Sequence, residues 1–356
     1  MDLAINQTHG MVCAHHHLYS SLARGMPGPA TPPLSFLNIL ETVWWKLDQA
    51  LDLETIFWSA KLGALEALET GTTCIIDHHE SPNAIEGSLS AIADACSEVG
   101  VRVNTCYGVT DRHPASESPP HYMTEGARRG LEENRRFLSE GGTGMVGLHA
   151  AFTCSDETLE NATSLAKEFN VGIHTHVAEG KVDMAAPSRL SSLSEDNWIL
   201  AHGVHLEDNH GIRGTIIHNP RSNMNNSVGY AAPKRFVNPV GLGTDGIGAD
   251  MFDEFRLGYA RLRENDITES PLTVWEMLEV NRILYPDCLQ DIVTWSYPKV
   301  DPWHLAFSPG VKPKDIVIAG KQVMKDGIVM TVDADEVRSK AAEVATKLFK
   351  RIDDLP

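Results

Sequence analysis

The sequence alternates short apolar runs with segments of helical spacing, and most of the apolar runs end in histidine or aspartate. Such alternation predicts β/α units around a parallel sheet. We predict eight strands, at residues 11–17, 72–77, 101–107, 145–149, 171–176, 198–202, 215–218 and 240–244. Eight parallel strands with polar side chains at their C-terminal ends predict a (β/α)8 TIM barrel, in which side chains from separate strands meet at one face.

The rest of the chain extends this barrel. A helical insertion is predicted at about 33–70, where apolar residues and the aromatic stripe of Trp44, Trp45, Phe57 and Trp58 recur at helical spacing. Such a stripe is typical of a core or a subunit contact, although it could also roof a pocket. Later runs predict short antiparallel strands and a terminal helix at 335–351. We therefore predict a barrel domain at 1–289 and a small, incomplete β-subdomain with its terminal helix at 290–356.

Composition and charge argue against several classes of protein. The chain has 356 residues, 42 % of them hydrophobic and 22 % charged, which is typical of a globular protein, and its length alone allows one barrel or two modest domains. A net charge of −18 argues against binding to nucleic acid phosphates. No apolar stretch approaches the length of a membrane span, and the first residues do not resemble a signal peptide. We expect a cytoplasmic protein with no nucleic acid or membrane partner.

Histidines and one aspartate lie at the ends of the predicted strands. His15 and His17 end the first strand with alternate spacing, so the pleat points both side chains the same way. His176 and His202 end the fifth and sixth strands, and Asp245 follows the eighth. A lone strand-end histidine usually makes a hydrogen bond or faces solvent, but the combination predicts one shared metal site. Imidazoles with a carboxylate suit Zn²⁺, which we favour, or Fe²⁺, and an open coordination position would make the metal catalytic.

Four longer motifs carry a family resemblance. They are Ala14-His-His-His-Leu-Tyr-Ser, Ile76-Asp-His-His-Glu-Ser-Pro-Asn, His218-Asn-Pro-Arg-Ser-Asn-Met-Asn-Asn and Gly243-Thr-Asp-Gly-Ile-Gly-Ala-Asp-Met-Phe-Asp-Glu. With them the chain resembles the amidohydrolase superfamily, in the branch of cytosine deaminases, guanine deaminases and triazine hydrolases. Within that branch it resembles the aminohydrolases called SsnA.

The resemblance implies a role for each residue that matches a motif position. The metal ligands would be His15, His17, His176 and Asp245. The residues that move protons would be Glu179, His202 and Asp245. The residues that contact substrate would be His149, with His218 and Arg221 as further candidates. Two-metal relatives bridge their ions with a lysine on the fourth strand, and residues 147–150 contain none, so the resemblance implies one divalent metal per chain.

Several of these roles have an alternative that the sequence leaves open. His202 could be a fourth protein ligand, and Glu179 could carry a charge at the N-terminus of a helix. His218 could brace the barrel, and Arg221 could form a surface salt bridge.

The implied function is metal-dependent hydrolytic deamination of an amino-substituted heterocycle, purine-like or pterin-like, with release of ammonia. We expect Asp245 to accept a proton from water, His202 to orient that water, and Glu179 to protonate a ring nitrogen. The alternatives are a triazine-type chlorohydrolase or amide hydrolase with the same site, and a truncated, non-catalytic metal-binding remnant. The expected partner is a small heterocyclic molecule, and a homo-oligomer stays open.

Two features depart from the family pattern. Family members usually carry a longer segment before the first barrel strand, which forms half of a β-sandwich, whereas only residues 1–9 precede it here. We therefore expect the apolar strand at 316–318 to lack cover and the small sheet to have an open edge. The sixth β/α unit, at 203–214, is near the minimum length of a crossover, so its outer helix is expected to be vestigial.

Overall fold

The structure is a computed structural model that describes residues 3–112 and 121–355. Its strands are β1 Gln7–His9, β2 Met11–His16, β3 Thr72–His79, β4 Arg102–Val109, β5 Val146–Ala150, β6 Ile173–Val177, β7 Ile199–His202, β8 Thr215–His218, β9 Val240–Leu242, β10 Ile292–Trp295, β11 Pro313–Ile318, β12 Lys321–Lys325 and β13 Ile328–Val329. Its α-helices are α1 Phe36–Ile39, α2 Trp45–Ala50, α3 Leu53–Glu69, α4 Ser88–Val99, α5 Glu125–Ser139, α6 Asp156–Phe169, α7 Ala186–Leu190, α8 Pro220–Asn225, α9 Met251–Asn265, α10 Pro271–Leu284, α11 Pro302–Phe307 and α12 Ala334–Asp353.

Strands β2 to β9 form the predicted barrel. They lie side by side in chain order, and each neighbouring pair is parallel. The barrel closes where the segment after β9 meets β2. There the backbone N–H groups of Thr244 and Asp245 donate to the carbonyl of His15 at 3.0 and 3.1 Å, and the N–H of His17 donates to the carbonyl of Asp245 at 3.3 Å. Closure therefore places the first and last predicted metal ligands against each other, and the predicted (β/α)8 fold is confirmed.

Burial on both faces explains why these runs form barrel strands. Every residue of β2, β3, β5, β6, β7 and β8 is buried, as expected for parallel strands covered by helices outside and side chains inside. The helices that cover them have local start signals. Asp52 and Thr55 form a reciprocal capping box at α3, and the side chain of Ser155 caps α6.

The outer helices become short or absent late in the barrel. Residues 203–214 are all described and contain no helix, so the expected loss of the sixth outer helix is confirmed. Helices α7 and α8 have only 5 and 6 residues. The barrel strands themselves are nevertheless all present, so only the outer layer of helices is reduced.

A second, antiparallel sheet has the strand order β1-β10-β11-β12-β13. Residues 7–9 supply its first strand, with Gln7 opposite Thr294. The expectation that Ile316 and Ile318 lack cover is wrong, because both side chains are buried in one apolar cluster with residues of α12. The boundary between the two domains at residue 289 remains a prediction. Strand β1 lies before that boundary in the sequence but belongs to the small sheet.

The insertion between β2 and β3 is helical, as predicted. It consists of α1, a π-helical turn at Leu40–Trp44, α2 and α3. Such π turns are rare and frequently occur at functional sites. Among the helices formed by the described residues, none is long and apolar enough to span a membrane.

Candidate metal centre and active site

Four predicted ligands meet at one end of the barrel. Nε2 of His17 lies 2.9 Å from Oδ1 of Asp245, and Nε2 of His15 lies 3.3 Å from the same oxygen. Nε2 of His17 is also 3.1 Å from Nε2 of His176. One ligand atom from each of His15, His17, His176 and Asp245 falls within 4.8 Å of all the others. The strand pleat accounts for the pairing of His15 with His17, because His16 between them faces away and bonds Thr244.

The other ring nitrogen of each of the three predicted ligand histidines is held by a hydrogen bond. His17 Nδ1 donates to the carbonyl of His78 at 2.6 Å, and His176 Nδ1 donates to the carbonyl of His149 at 2.7 Å. His15 Nδ1 lies 2.8 Å from Nε2 of His174. With Nδ1 as the donor in each ring, all three Nε2 atoms carry lone pairs that face Asp245.

This donor set fits a divalent cation. The buried Nε2 of His15 has no hydrogen-bond partner, although it faces a carboxylate oxygen. A buried nitrogen without a partner is costly in a native protein, and coordination of a cation would satisfy it. Three neutral imidazoles and one carboxylate are also ligands that Zn²⁺ and related ions accept.

A second group of side chains borders the ligand cluster, which is the name used here for His15, His17, His176 and Asp245. Oε2 of Glu179 lies 3.5 Å from Nε2 of His202, and one ligand atom from each of these two residues and from Asp245 lies within 4.8 Å of the others. Asn223 Oδ1 accepts from His202 Nδ1 at 2.8 Å, and in the neutral ring this hydrogen bond leaves the lone pair on Nε2. Asn226 Nδ2 donates to Oε1 of Glu179 at 3.3 Å.

The backbone at this group is strained. His202 and Asp245 have φ angles of 75° and 54°, in the left-handed region that non-glycine residues rarely adopt. Ala178, next to Glu179, has a φ of 47°. Strain of this kind concentrates at active sites, where it fixes the direction of functional side chains.

The two carboxyl groups differ in acidity. Burial raises the pKa of Glu179 to about 7. Burial also acts to raise the pKa of Asp245, but the close approach of the His15 and His17 imidazoles outweighs it and holds that pKa well below its usual range. Two neighbouring carboxyl groups with separated pKa values can act as acid and base in one reaction.

A cavity opens from this group toward the insertion. It is lined by His17, Tyr19, Ser20, Phe36, Leu40, Trp44, Trp45, Asp48, Glu80, His149, Ala150, Phe152, His176, Glu179, Gly180, Asp183, Asn226, Asp245 and Gly246. Trp44 and Trp45 therefore line the pocket, which was the less favoured interpretation of the aromatic stripe. Phe57 and Trp58 do not line it and pack on the hydrophobic core, against which Trp44 also packs.

The structure brings some of the predicted substrate-binding residues to the cavity and leaves others outside it. His149 lines the cavity, and its Nδ1 lies 2.7 Å from the hydroxyl of Thr153. His218 is buried but does not line the cavity. Arg221 does not line it either, because its Nε donates to Oε2 of Glu254 at 3.0 Å. Arg221 therefore forms a salt bridge, as the alternative interpretation states, but its partner Glu254 is buried and not at the surface.

Sequence reasoning missed a buried charged cluster and the partner of His15. Asp48 and Glu80 line the cavity, and both accept hydrogen bonds or ion-pair contacts from the guanidinium of Arg112. Glu80 belongs to a motif that carried the family resemblance, but nothing local in the sequence connects it to Asp48 or Arg112. His174 stands two positions before a predicted ligand, so its alternate spacing was a usable signal.

The family model for the amidohydrolase family matches residues 8–277. The chain belongs to the amidohydrolase family. The match includes every residue of the ligand cluster, Glu179 and His202.

Curated relatives of this amidohydrolase are deaminases. It is 28 % identical to the 5'-deoxyadenosine deaminase of Methanopyrus kandleri over 95 % of this chain and 86 % of that protein. It is 27 % identical to the 5-methylthioadenosine/S-adenosylhomocysteine deaminase of Halothermothrix orenii over 95 % of this chain and 85 % of that protein. The predicted class of function, a metal-dependent hydrolytic deaminase that acts on C–N bonds, is confirmed.

Solved structures share the fold of this amidohydrolase. An adenosine deaminase from Xanthomonas campestris with bound zinc superposes with a TM-score of 0.80 at 18 % identity, over 98 % of this chain and 86 % of that one. The atrazine chlorohydrolase TrzN from Arthrobacter aurescens with zinc gives a TM-score of 0.77 at 17 % identity, over 95 % and 88 % of the two chains. These similarities support the barrel and its antiparallel subdomain.

Proposed function

We propose that this amidohydrolase removes the exocyclic amino group of an adenine nucleoside by hydrolysis. The observation that carries the proposal is the placement of Glu179, His202 and Asp245 within 4.8 Å of one another, directly beside the ligand cluster. The curated relatives named above act on adenine nucleosides, according to their names. The aromatic side chains of Trp44 and Trp45 on the cavity wall offer flat apolar surfaces to a purine ring.

Four side chains would hold the cation, namely His15, His17, His176 and Asp245. We propose Zn²⁺, because the donor set suits it and similar folds contain zinc. When bound, the cation supplies Lewis acidity and makes water a nucleophile near neutral pH.

Asp245 and His202 handle the first proton of the attacking water. The low pKa of Asp245 keeps its carboxylate ionised, and Oδ2 accepts a hydrogen bond from Ser222. Nε2 of His202 carries a lone pair, because Nδ1 donates to Asn223, and it can therefore orient the same water. As the water oxygen adds to C6 of the purine, Asp245 accepts one of its protons.

Glu179 transfers a proton to the purine ring. With a pKa of about 7 it is partly protonated at neutral pH, so it can give a proton to the ring nitrogen next to C6 as oxygen adds there. The second proton of the water then returns to Glu179 as the carbonyl forms. The C6–N bond breaks, and the amino group takes the proton held by Asp245 and leaves as ammonia, so atoms and charge balance.

The proposal is tested by ammonia release from the purified, zinc-loaded protein. The substrates compared are adenosine, 5'-deoxyadenosine, guanine, cytosine and a pterin, with chloride release from atrazine as a separate readout. We expect the adenine nucleosides to give the highest kcat/KM. Faster release of chloride, or faster deamination of a pyrimidine or pterin, would contradict the proposal.

A further inference from the structure

Helix α8 and the residue after it contact all three side chains that the proposed mechanism uses to move protons or orient water, namely Glu179, His202 and Asp245. The hydroxyl of Ser222 donates to Oδ2 of the aspartate, and Oδ1 of Asn223 accepts from Nδ1 of the histidine at 2.8 Å. Asn226, the residue that follows the helix, donates from Nδ2 to Oε1 of the glutamate at 3.3 Å. The orientation of these three groups, which come from three different parts of the chain, therefore depends on where one helix lies.

Contacts with the segment that leads into α9 hold this helix. Helix α8 has 6 residues, fewer than the roughly 12 to 15 that an isolated helix needs to be stable in water, so tertiary contacts determine its position. The backbone N–H of Arg221 donates to Oε1 of Glu254 at 2.9 Å, and its Nε donates to Oε2 of the same carboxylate at 3.0 Å. Nη2 of Arg221 also donates to the carbonyl of Gly248 at 3.2 Å, and Nη1 lies 4.0 Å from Oδ2 of Asp253.

Burial makes the contact between Arg221 and Glu254 hard to replace. The side chain of Glu254 is 0 % exposed, and that of Arg221 is 26 % exposed. Both carboxylate oxygens of Glu254 accept from the same residue of α8. A buried carboxylate that loses its partner is strongly disfavoured, so removal of the guanidinium should displace the two helices relative to each other.

We propose, on the basis of the proposed function, that Arg221 and Glu254 are positioning residues, which hold α8 so that its side chains orient the three groups of the mechanism. Neither residue lines the cavity. Displacement of α8 would disturb the hydrogen bonds to Glu179, His202 and Asp245 together, and a misplacement of about 1 Å in such groups can lower a rate about 100-fold. Substrate binding should change less, because most of the cavity wall belongs to other elements.

The test replaces each member of the pair in the zinc-loaded protein. Arg221→Met removes the guanidinium and keeps the backbone N–H, whereas Glu254→Gln keeps the shape of the side chain and removes its charge. We expect kcat to fall by about 10-fold to 100-fold in both variants, with KM little changed. Because the two residues act as one unit, the double variant should lose no more than the larger single loss. A raised KM with an unchanged kcat would overturn the inference, since Arg221 would then bind the substrate.

Arg102→Met is the matched control. Nη2 of Arg102 lies 3.0 Å from Oδ1 of Asp291, and the two side chains are 22 % and 0 % exposed, close to the values of the Arg221 pair. Arg102 begins β4, so this pair lies at the opposite end of the barrel from the site. We expect the control to lose stability without a loss of kcat. Equal losses of kcat in the two methionine variants would overturn the inference, because general destabilisation would then explain both.

A measurement without turnover separates this inference from the proposed function. In protein labelled with ¹⁵N-histidine, the resonance of His202 is assigned by its loss in His202→Asn. We expect the Nδ1–H signal of His202 to shift in Arg221→Met and to stay unchanged in Arg102→Met, because only the first variant displaces the acceptor on α8. An unchanged His202 signal in Arg221→Met would overturn the inference. If the wild-type protein released no ammonia from any compound of the substrate panel, the proposed function would fail, and this signal would still decide whether the pair positions α8.

Discussion

Nδ1 of His15 lies 2.8 Å from Nε2 of His174, and both imidazoles are fully buried inside the barrel. The other two predicted ligand histidines, His17 and His176, donate to backbone carbonyls, whereas His15 depends on a side chain for its orientation. If His15 Nδ1 donates, Nε2 of His174 accepts, and Nδ1 of His174 then carries the proton that faces the sulfur of Cys106 at 3.8 Å. We therefore predict that His174 is a positioning residue, which fixes the tautomer of His15 without belonging to the predicted donor set.

Replacement of His174 should weaken metal binding. His174→Leu removes the acceptor for His15 Nδ1, and we expect zinc affinity to fall by about 10-fold to 100-fold, as is typical when the hydrogen-bond partner of a ligand histidine is lost. His174→Gln retains an acceptor and should recover part of the affinity. Competition with a fluorescent chelator measures the affinity directly, without reference to turnover.

His79→Leu is the matched control for this experiment. His79 is equally buried at the end of a barrel strand, but its ring bonds Ser81 and no metal ligand. We expect this variant to lose stability while its zinc affinity stays close to that of the wild type. Equal losses of affinity in the two leucine variants would assign His174 a purely structural role.

Replacement of Glu179 should separate catalysis from metal binding. Glu179→Gln keeps the size of the side chain and removes the transferable proton, so kcat should fall by a factor of about 100 to 10,000, the range that general acid–base catalysis contributes. Zinc content should remain that of the wild type, because Glu179 lies outside the ligand cluster. A variant that stays active would show that another group protonates the ring.

The pH profile should report on the same carboxyl group. Because burial raises the pKa of Glu179 to about 7, its protonated form is lost as the pH rises through that value, and kcat/KM should fall on the alkaline side. The hydrogen bond from Asn226 favours the ionised form and so lowers this pKa. Asn226→Ala should therefore move the alkaline limb to higher pH, by up to about one unit.

Asn225→Ala provides the comparison for the pH experiment. Asn225 is the exposed neighbour of Asn226 and does not line the cavity. Its Nδ2 donates to Oδ1 of Asn226 at 3.4 Å, whereas Asn226 uses Nδ2 to bond Glu179. Its replacement should leave the alkaline limb where it is in the wild type. A shift of the limb to lower pH in the Asn226 variant would contradict the assignment of Glu179 as the acid.

The parts of the site that the sequence predicted follow from a strand period of two. Alternation places His15 and His17 on one side of β2, and parallel strands bring their C-terminal ends to one rim. The same reasoning located His176, His202 and Asp245, because each closes or follows an apolar run. These positions could be predicted from local patterns alone, because the prediction does not depend on which distant residues they contact.

The features that escaped prediction depend on contacts between distant segments. Asp48, Glu80 and Arg112 come from the insertion and from the ends of two barrel strands, and no spacing in the sequence connects them. The ion pair between Arg221 and Glu254, on α9, likewise joins separate segments, and no local pattern indicates it. The pairing of residues 7–9 with β10, almost 290 positions away, likewise has no local signal in the sequence.

This long-range pairing can be tested at Thr8. Nε1 of Trp295 donates to the hydroxyl of Thr8 at 2.9 Å, and Trp295 is 1 % exposed. Thr8→Val replaces that hydroxyl with a methyl group of similar shape and leaves the indole N–H buried without a partner, which should lower the free energy of unfolding by about 1–3 kcal/mol. Gln7→Ala removes two hydrogen bonds of 3.0 Å, a partly buried one from Gln7 Nε2 to the hydroxyl of Thr294 and an exposed one from Ala4 N–H to Gln7 Oε1, so its cost should be smaller. Denaturant unfolding of both zinc-loaded variants measures the difference in the free energy of unfolding. If the Thr8 variant were no less stable than the Gln7 variant, the indole N–H of Trp295 would not depend on the Thr8 hydroxyl. That result would show that β1 does not pack on Trp295.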